Sequence, residues 1–191
     1  MERIWSLINK GADILRHRLR TQGVRTTLLW FLVRGSTFVT GIPTIRYTRI
    51  APQIFVGPQY RRMGKRKLER HGVNASLNMR LEFDDAAHGL DMLRYCHLPT
   101  ADDHPPSLEQ LNTGAAFIDQ VVRDGGKVYI HCAGGIGRAP MMAAAYFVSQ
   151  GLDLEEAIAR IRNSRPFIRI MPSQVTRLRQ FEDLVKREDS G

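Results

Sequence analysis

Apolar residues recur along this chain at two different periods. Between positions 4 and 19, Ile4, Ile8, Ala12, Leu15 and Leu19 return every three or four residues, with Trp5 beside them. That is the period of one helix face. Lys10, Arg16, His17, Arg18 and Arg20 fall mostly on the other side, so the segment predicts a basic amphipathic helix. Residues 24–42 are apolar without a clear period and predict a second short helix, then a linker ending at 41–43. After Pro43 the pattern alternates. Residues 45–50, 53–56, 75–79, 93–98 and 128–131 predict strands, the first two separated by the Ala51-Pro52 turn. Residues 60–70 predict a basic helix closed by Gly72. Ser107 stands as an N-cap, with Glu109 and Gln110 in the first turn of a helix that Gly125 and Gly126 stop. Helices over about 140–149, 154–163 and 173–186 complete the pattern. Strands alternating with helices predict an α/β fold, its central mainly parallel sheet flanked by helices on both faces.

Length and composition add bounds. The 191 residues, 43% hydrophobic and 25% charged, exclude a mostly disordered chain. The expected organisation is a basic amphipathic N-terminal extension over 1–44 and one domain over 45–188. No apolar run reaches the roughly 18–20 residues that span a bilayer; the longest, 28–33, stops at Arg34. No long apolar stretch precedes a small-residue cleavage site near the N-terminus, so no secretory signal is expected. Cys96 and Cys132 are too few for a disulfide scaffold and suit a reducing compartment. Six scattered histidines show no metal-ligand spacing, so neither a metal nor a cofactor is expected.

Charge is more informative by its distribution than by its total. Of the net +9, residues 1–70 carry 15 Lys and Arg against Glu2, Asp13 and Glu69, leaving the rest of the chain mildly acidic. A basic front end asks for an anionic partner. The amphipathic pattern with its early Trp favours an anionic membrane surface contacted through residues 1–25, against packing on the domain. No recognition motif accompanies the charges, so nucleic acid is not expected. The expected location is cytoplasmic, peripheral at a membrane. Arg richness also fits a mitochondrial presequence, while Glu2, Asp13 and the shortage of serine run against it. The basic run at 61–67 is read as a solvated helix face or a lipid-headgroup contact.

Candidate chemistry concentrates in one segment, Val128-Tyr129-Ile130-His131-Cys132-Ala133-Gly134-Gly135-Ile136-Gly137-Arg138-Ala139-Pro140. A strand ends at a cysteine, a glycine-rich loop follows, and a helix begins at an arginine. Such a loop lets the backbone N–H groups of Ala133, Gly134, Gly135, Ile136 and Gly137 converge into an anion nest at a helix N-terminus. Arg138 offers a planar fork matched to phosphate oxygens. Cys132 at the floor of that positive cradle is expected to favour the thiolate, a nucleophile aimed at bound phosphorus. A nucleotide-binding P-loop needs Lys and Ser or Thr where this loop has Arg138 and Ala139, and is excluded. Proton delivery to the leaving oxygen requires an acid, and Asp102 or Asp103, in a Pro-flanked loop between a predicted strand and helix, can supply it. Cys96 is read as an apolar strand residue, with a redox partnership to Cys132 as the alternative. His131 is expected to order the loop through hydrogen bonds to its backbone. His104 is read as a solvated loop residue, with a substrate contact as the alternative. Gln174 is read as a water-positioning amide or a polar helix start.

These residues resemble the cysteine-dependent protein tyrosine phosphatase superfamily in its compact dual-specificity branch, over about residues 46–185. The likeness rests on His131-Cys132-(x5)-Arg138, on the segment Ile50 to Gly57, on Pro99-Thr100-Ala101-Asp102, and on Arg165 to Gln174 with Phe181-Glu182. It implies Cys132 as nucleophile, Arg138 as phosphate clamp and Asp102 as general acid, since the Pro99–Asp102 register matches better than one using Asp103. It also implies a dual-specificity phosphatase acting on phosphoproteins through a cysteinyl-phosphate. The last segment is similar to members that act on phosphatidylglycerophosphate, which makes a phospholipid the alternative substrate. The branch usually has Ser or Thr after the arginine, where this chain has Ala139. Gly-Arg-Ala-Pro occurs in relatives, including plant glucan phosphatases, so activity is still expected, with a slow second step because the hydroxyl donor at the sulfur is missing. A phosphate-binding pseudophosphatase is the competing reading of another class.

Overall fold

A computed structural model describes the backbone of residues 2–188 and the side-chain surroundings of residues 19–188. Five strands form one sheet: β1 (Arg49–Ala51), β2 (Ile54–Pro58), β3 (Ala75–Arg80), β4 (Arg94–Thr100) and β5 (Val128–Cys132). Their order across the sheet is β1-β2-β5-β3-β4, with β1 antiparallel to β2 and every other pair parallel. The first predicted strand is shorter than expected. Residues Ile45–Tyr47 form a 3₁₀ turn, closed by Thr48 N–H donating to the Ile45 carbonyl, and pairing with β2 begins only at Arg49.

Side chains alternate across the sheet as period-two strands require. Val128, Ile130 and Cys132 of β5 and Ile54 and Val56 of β2 face the main core. That core is covered by α3 (Leu108–Arg123), α4 (Arg138–Ser149), α5 (Leu154–Ser164) and α6 (Pro172–Glu188). Helix α4 is buried along nearly its whole length, because the other three pack around it. Phe55 and Tyr129 point to the opposite face and join a smaller core with Tyr60, Val73, Leu90, Met92 and Leu68 of α2 (Arg62–Arg70). Helix α3 opens on a capping box: Gln110 N–H donates to Ser107 Oγ at 3.0 Å and Ser107 N–H donates to Gln110 Oε1 at 3.0 Å.

Helix α1 (Glu2–Thr40) is broken at Gly23, whose φ of 77° is open to glycine. The amphipathic face expected over residues 4–19 falls almost wholly on side chains outside those described. The second half, expected to be a short irregular helix, is helical to Thr40, with its amphipathicity inverted. Thr27, Val33 and Thr37 are buried against the domain, while Val24, Leu28, Phe31, Leu32, Phe38 and Val39 are each 60 to 76% exposed. The apolar residues looked aperiodic because those with small polar neighbours, not the largest ones, face inward.

The parallel register sets Pro58 opposite Cys132, and Gly57 and Asn78 opposite His131. Cys132 therefore ends the central strand at the carboxyl edge of the sheet, where α/β folds place their sites.

Candidate active site

The 133–137 loop is anchored entirely from behind. Each of its carbonyls accepts a hydrogen bond from outside the loop. Gln59 N–H reaches Ala133 O at 3.3 Å, Arg169 N–H reaches Ile136 O at 2.6 Å, and Met141 N–H reaches Gly137 O at 2.9 Å. Arg165, fully buried, donates Nε–H to Gly135 O at 2.6 Å, Nη1–H to Tyr47 O at 2.7 Å and a longer Nη2–H contact to Gly134 O at 3.5 Å. Burial pulls the Arg165 guanidinium down to about 10, against attraction from Tyr129 and Cys132. With the carbonyls held away, the Gly135 amide points at the cysteine and donates to Cys132 Sγ at 3.2 Å. Gly135 has φ 62°, and a Cβ there would stand 2.2 Å from the Gly57 carbonyl carbon, so no other residue fits. Cys132 itself is 2% exposed.

Arg138 is the first residue of α4, and its side chain is fully buried. Its Nη1 donates to Thr100 O at 2.7 Å and to Glu82 Oε2 at 3.1 Å, and its Nη2 donates to Glu82 Oε1 at 3.2 Å. Asp102 Oδ1 lies 2.9 Å from the same Nη2. Arg138 Nε is buried with no hydrogen-bond partner among the described residues, a donor free for an anion. Burial alone would lower the Arg138 pKa, but the Glu82 hydrogen bonds and the charges of Cys132 and Asp102 raise it on balance. Burial would likewise raise Glu82, yet hydrogen bonds from Arg138, its own amide and Arg80 hold it down at about 2.

Between the two acid candidates the structure brings Asp102 to Arg138. Asp103 takes the left-handed turn position, with φ 59°, and has no ion pair among the described residues. The loop carrying both is tied down on two sides. His104 Nδ1 lies 2.8 Å from Asp102 O, and Gln174 Nε2–H donates to His104 O at 3.1 Å. Gln174 Oε1 in turn accepts from Met171 N–H at 3.0 Å. Both groups of this fully buried amide are thus engaged by backbone, which makes Gln174 a brace between the acid loop and the start of α6.

One expectation needs correction, and one alternative fails. His131 does not bond the loop backbone. Its ring is sandwiched by Tyr60 and Tyr129 at centroid distances of 5.2 and 5.7 Å. Its Nε2 lies 2.7 Å from Asp85 Oδ2, and both side chains are fully buried. Burial works against an ionised Asp85, but His131 and the Gln59 amide hold its carboxyl below the usual range. Cys96 is the apolar strand residue expected, packed against the main core, and is no partner for Cys132. It sits on β4 opposite Leu77 of β3, which faces Ile130 of β5, so a whole strand intervenes. Two strand spacings are about 9–10 Å, beyond the roughly 4.4–6.8 Å Cα separation of a disulfide. Burial pushes the Cys96 thiol up to about 11.

Sequence reasoning missed Glu82, Asp85 and the role of Arg165. Glu82 follows β3 at the carboxyl edge, and that position was the available signal. Which of the carboxylates in 82–85 would turn toward Arg138 depends on the backbone path. Ala139 lies fully buried in the main core, so no hydroxyl follows the arginine near the sulfur.

A strand-end cysteine, a loop amide donated to its sulfur and a helix-start arginine define an α/β domain of the cysteine-phosphatase class. The chain belongs to the family described as dual specificity phosphatase, catalytic domain, whose model matches residues 54–184. It is 29% identical over 138 residues to dual specificity protein phosphatase 1-A of Xenopus laevis, covering 71% of this chain and 37% of that one. It is 27% identical over 143 residues to human dual specificity phosphatase 28, covering 73% and 80%. The chain thus spans little more than a third of the length of the first relatives it matches. Among solved structures, PTPMT1 in complex with PI(5)P superposes with a TM-score of 0.69 at 26% identity, covering 74% of this chain and 97% of that one.

Proposed function

We propose that this protein is a cysteine-dependent phosphatase that hydrolyses phosphomonoesters through a cysteinyl-phosphate. The observation that carries the reading is the Gly135 N–H donating to Cys132 Sγ inside a loop whose carbonyls are all held outward. A dianionic phosphate fits that cradle, with the unpaired Arg138 Nε–H as a further donor. The Cys132 thiolate attacks phosphorus, the P–O ester bond breaks, and Asp102, protonated, gives its proton to the leaving oxygen. Water then attacks the same phosphorus, Asp102 takes its proton, and the P–S bond breaks to release phosphate and thiolate.

Residues 45–188 make up the phosphatase domain in this reading, and residues 1–44 are an extension that holds it against a membrane. The substrate class is a phosphoprotein or a phospholipid. The exposed apolar face of α1 favours the lipid, as does the phosphoinositide in the PTPMT1 complex. No helix among the described residues is long and apolar enough to cross a membrane; the proposed contact is peripheral, and its surface extends past residues 1–25 to residue 39. The test is phosphate release by the full chain, with Cys132→Ser as blank. Phosphatidylglycerophosphate in mixed micelles is compared with a phosphotyrosyl peptide. Preference for the micelles supports the lipid substrate, and preference for the peptide moves the assignment to phosphoproteins. Release no greater than the blank from either substrate, or from a soluble aryl phosphate, sinks the enzyme reading and leaves a phosphate-binding module.

A further inference from the structure

A cavity of about 400 Å³ opens beside the phosphate loop, and three arginines are among the residues that line it. Arg34 comes from α1, Arg61 from the residue before α2, and Arg80 from the end of β3. Ala133 lines the cavity too, so it adjoins the cradle around Cys132 directly. Arg34 reaches that cradle: its Nη1 lies 2.6 Å from where a Cβ on Gly134 would stand. No carboxylate among the described residues lines the cavity.

The three cations differ in how they are neutralised. Arg80 is committed to Glu82 at 2.9 Å and Gln59 Oε1 at 3.1 Å, and lies over the Phe83 ring. Neither Arg34 nor Arg61 has a carboxylate partner among the described residues. Both are exposed side chains that line the same concavity, and an anion seated there is attracted by both charges. The reacting phosphate does not occupy this place, because its donors are the loop amides and Arg138. Phe38 and Phe83 also line the cavity, giving it apolar surface beside the charges.

We infer that this cavity is a second anion subsite. It takes a phosphate or phosphodiester group carried on the same substrate a few atoms from the phosphomonoester. The inference rests on the phosphatase reading for the identity of the first phosphate. It narrows the substrate to compounds with two phosphorus-bearing groups, and it gives α1 a part in recognition. Arg34 lies outside the residues matched by the family model, so this part of the subsite is added by the N-terminal extension. One chemistry has two sources here, a phospholipid headgroup and a soluble diphosphorylated metabolite.

The test is calorimetric binding to the full chain carrying Cys132→Ser, which holds ligand without turning it over. Three ligands are compared: phenyl phosphate, a deacylated glycerophosphodiester bearing a terminal phosphomonoester, and its diacyl form in mixed micelles. The deacylated two-phosphate ligand is expected to bind at least ten-fold more tightly than phenyl phosphate, as charge-assisted contacts warrant. Adding Arg34→Gln and Arg61→Gln together should remove that advantage. Each alone should remove part of it, which keeps the test readable if the double variant does not fold. A further ten-fold gain from acyl chains assigns the lipid source, and no gain assigns the soluble one. Equal affinity for the first two ligands, or an advantage that survives both substitutions, overturns the subsite. Failure of the phosphatase reading shows separately, as no release from phenyl phosphate by the unsubstituted protein.

Discussion

Glu82 grips the Arg138 guanidinium with both carboxylate oxygens, at 3.1 and 3.2 Å, while Asp102 takes a second position on Nη2 at 2.9 Å. The fork is thus held in one plane before any substrate arrives, and Nε is left as the free donor. Hydrogen bonds to charged groups contribute about 1.5–3 kcal/mol each. Glu82→Gln is expected to lower kcat/KM on an aryl phosphate by about ten-fold, measured by initial rates. The same residue sets a pH dependence. Its folded-state pKa of about 2 lies below the ordinary 4.5. Its stabilisation is therefore complete above that ordinary value and lost as pH falls toward 2. Acid titration of the melting temperature should be shallower in Glu82→Gln than in the parent between pH 4.5 and 2, and parallel curves would count against the pair.

Only one of two adjacent carboxylates reaches Arg138. Asp102→Asn is expected to reduce kcat about 100-fold on an alkyl phosphate, whose leaving oxygen needs a proton. The loss should be smaller on an aryl phosphate with an acidic leaving group. Asp103→Asn should stay within two-fold on both, since asparagine also accepts its positive φ. Equal losses in the two variants would remove the assignment.

Ala139 puts a methyl group where a hydroxyl could stabilise the departing thiolate. The second step should then be slow, giving a burst of the leaving group followed by a slower steady rate. Ala139→Ser should shrink the burst and raise the steady rate several-fold. A linear time course in the parent, with no gain in the variant, would show that the first step limits turnover.

Arg165 is a buried cation whose donors satisfy Gly135 O and Tyr47 O. Arg165→Met leaves these carbonyls without a partner, at about 1–3 kcal/mol each. The melting temperature should fall by roughly 4–24 °C, at the usual 2–4 °C per kcal/mol for a chain of this size. Arg165→Lys should rescue little, because an ammonium cannot span both carbonyls as the planar fork does. Melting curves of the two variants decide this.

The exposed face of α1 predicts binding to vesicles. The full chain should co-sediment with phosphatidylglycerol–phosphatidylcholine vesicles, less so as salt rises. Leu28→Asp with Phe31→Asp should abolish co-sedimentation, while aryl phosphate turnover should continue, because both residues face away from the domain. Salt-resistant dimerisation of the parent, broken by the same pair without any vesicle binding, would assign this face to self-association instead.

By itself the sequence marked the residues proposed to carry the chemistry. Cys132, the glycine loop, Arg138 and Asp102 lie within two short segments, and residue types at fixed spacing suffice to mark such a loop at a strand-to-helix junction. Strand and helix positions were legible wherever burial followed a simple period, as in β5 and α3. The 3₁₀ turn at Ile45–Tyr47 was not, because an apolar run looks alike whether or not a neighbouring strand pairs with it. Tertiary structure decided the rest. Glu82, Asp85 and Arg165 are drawn to the site from 30 or more residues away in the chain, and one charged residue in a loop resembles another until the backbone path is known. The half of α1 beyond Gly23 shows the same limit. Its sequence holds the apolar residues, but only packing decides that Thr27, Val33 and Thr37 turn inward, leaving Phe31 and its neighbours to solvent and Arg34 to the cavity.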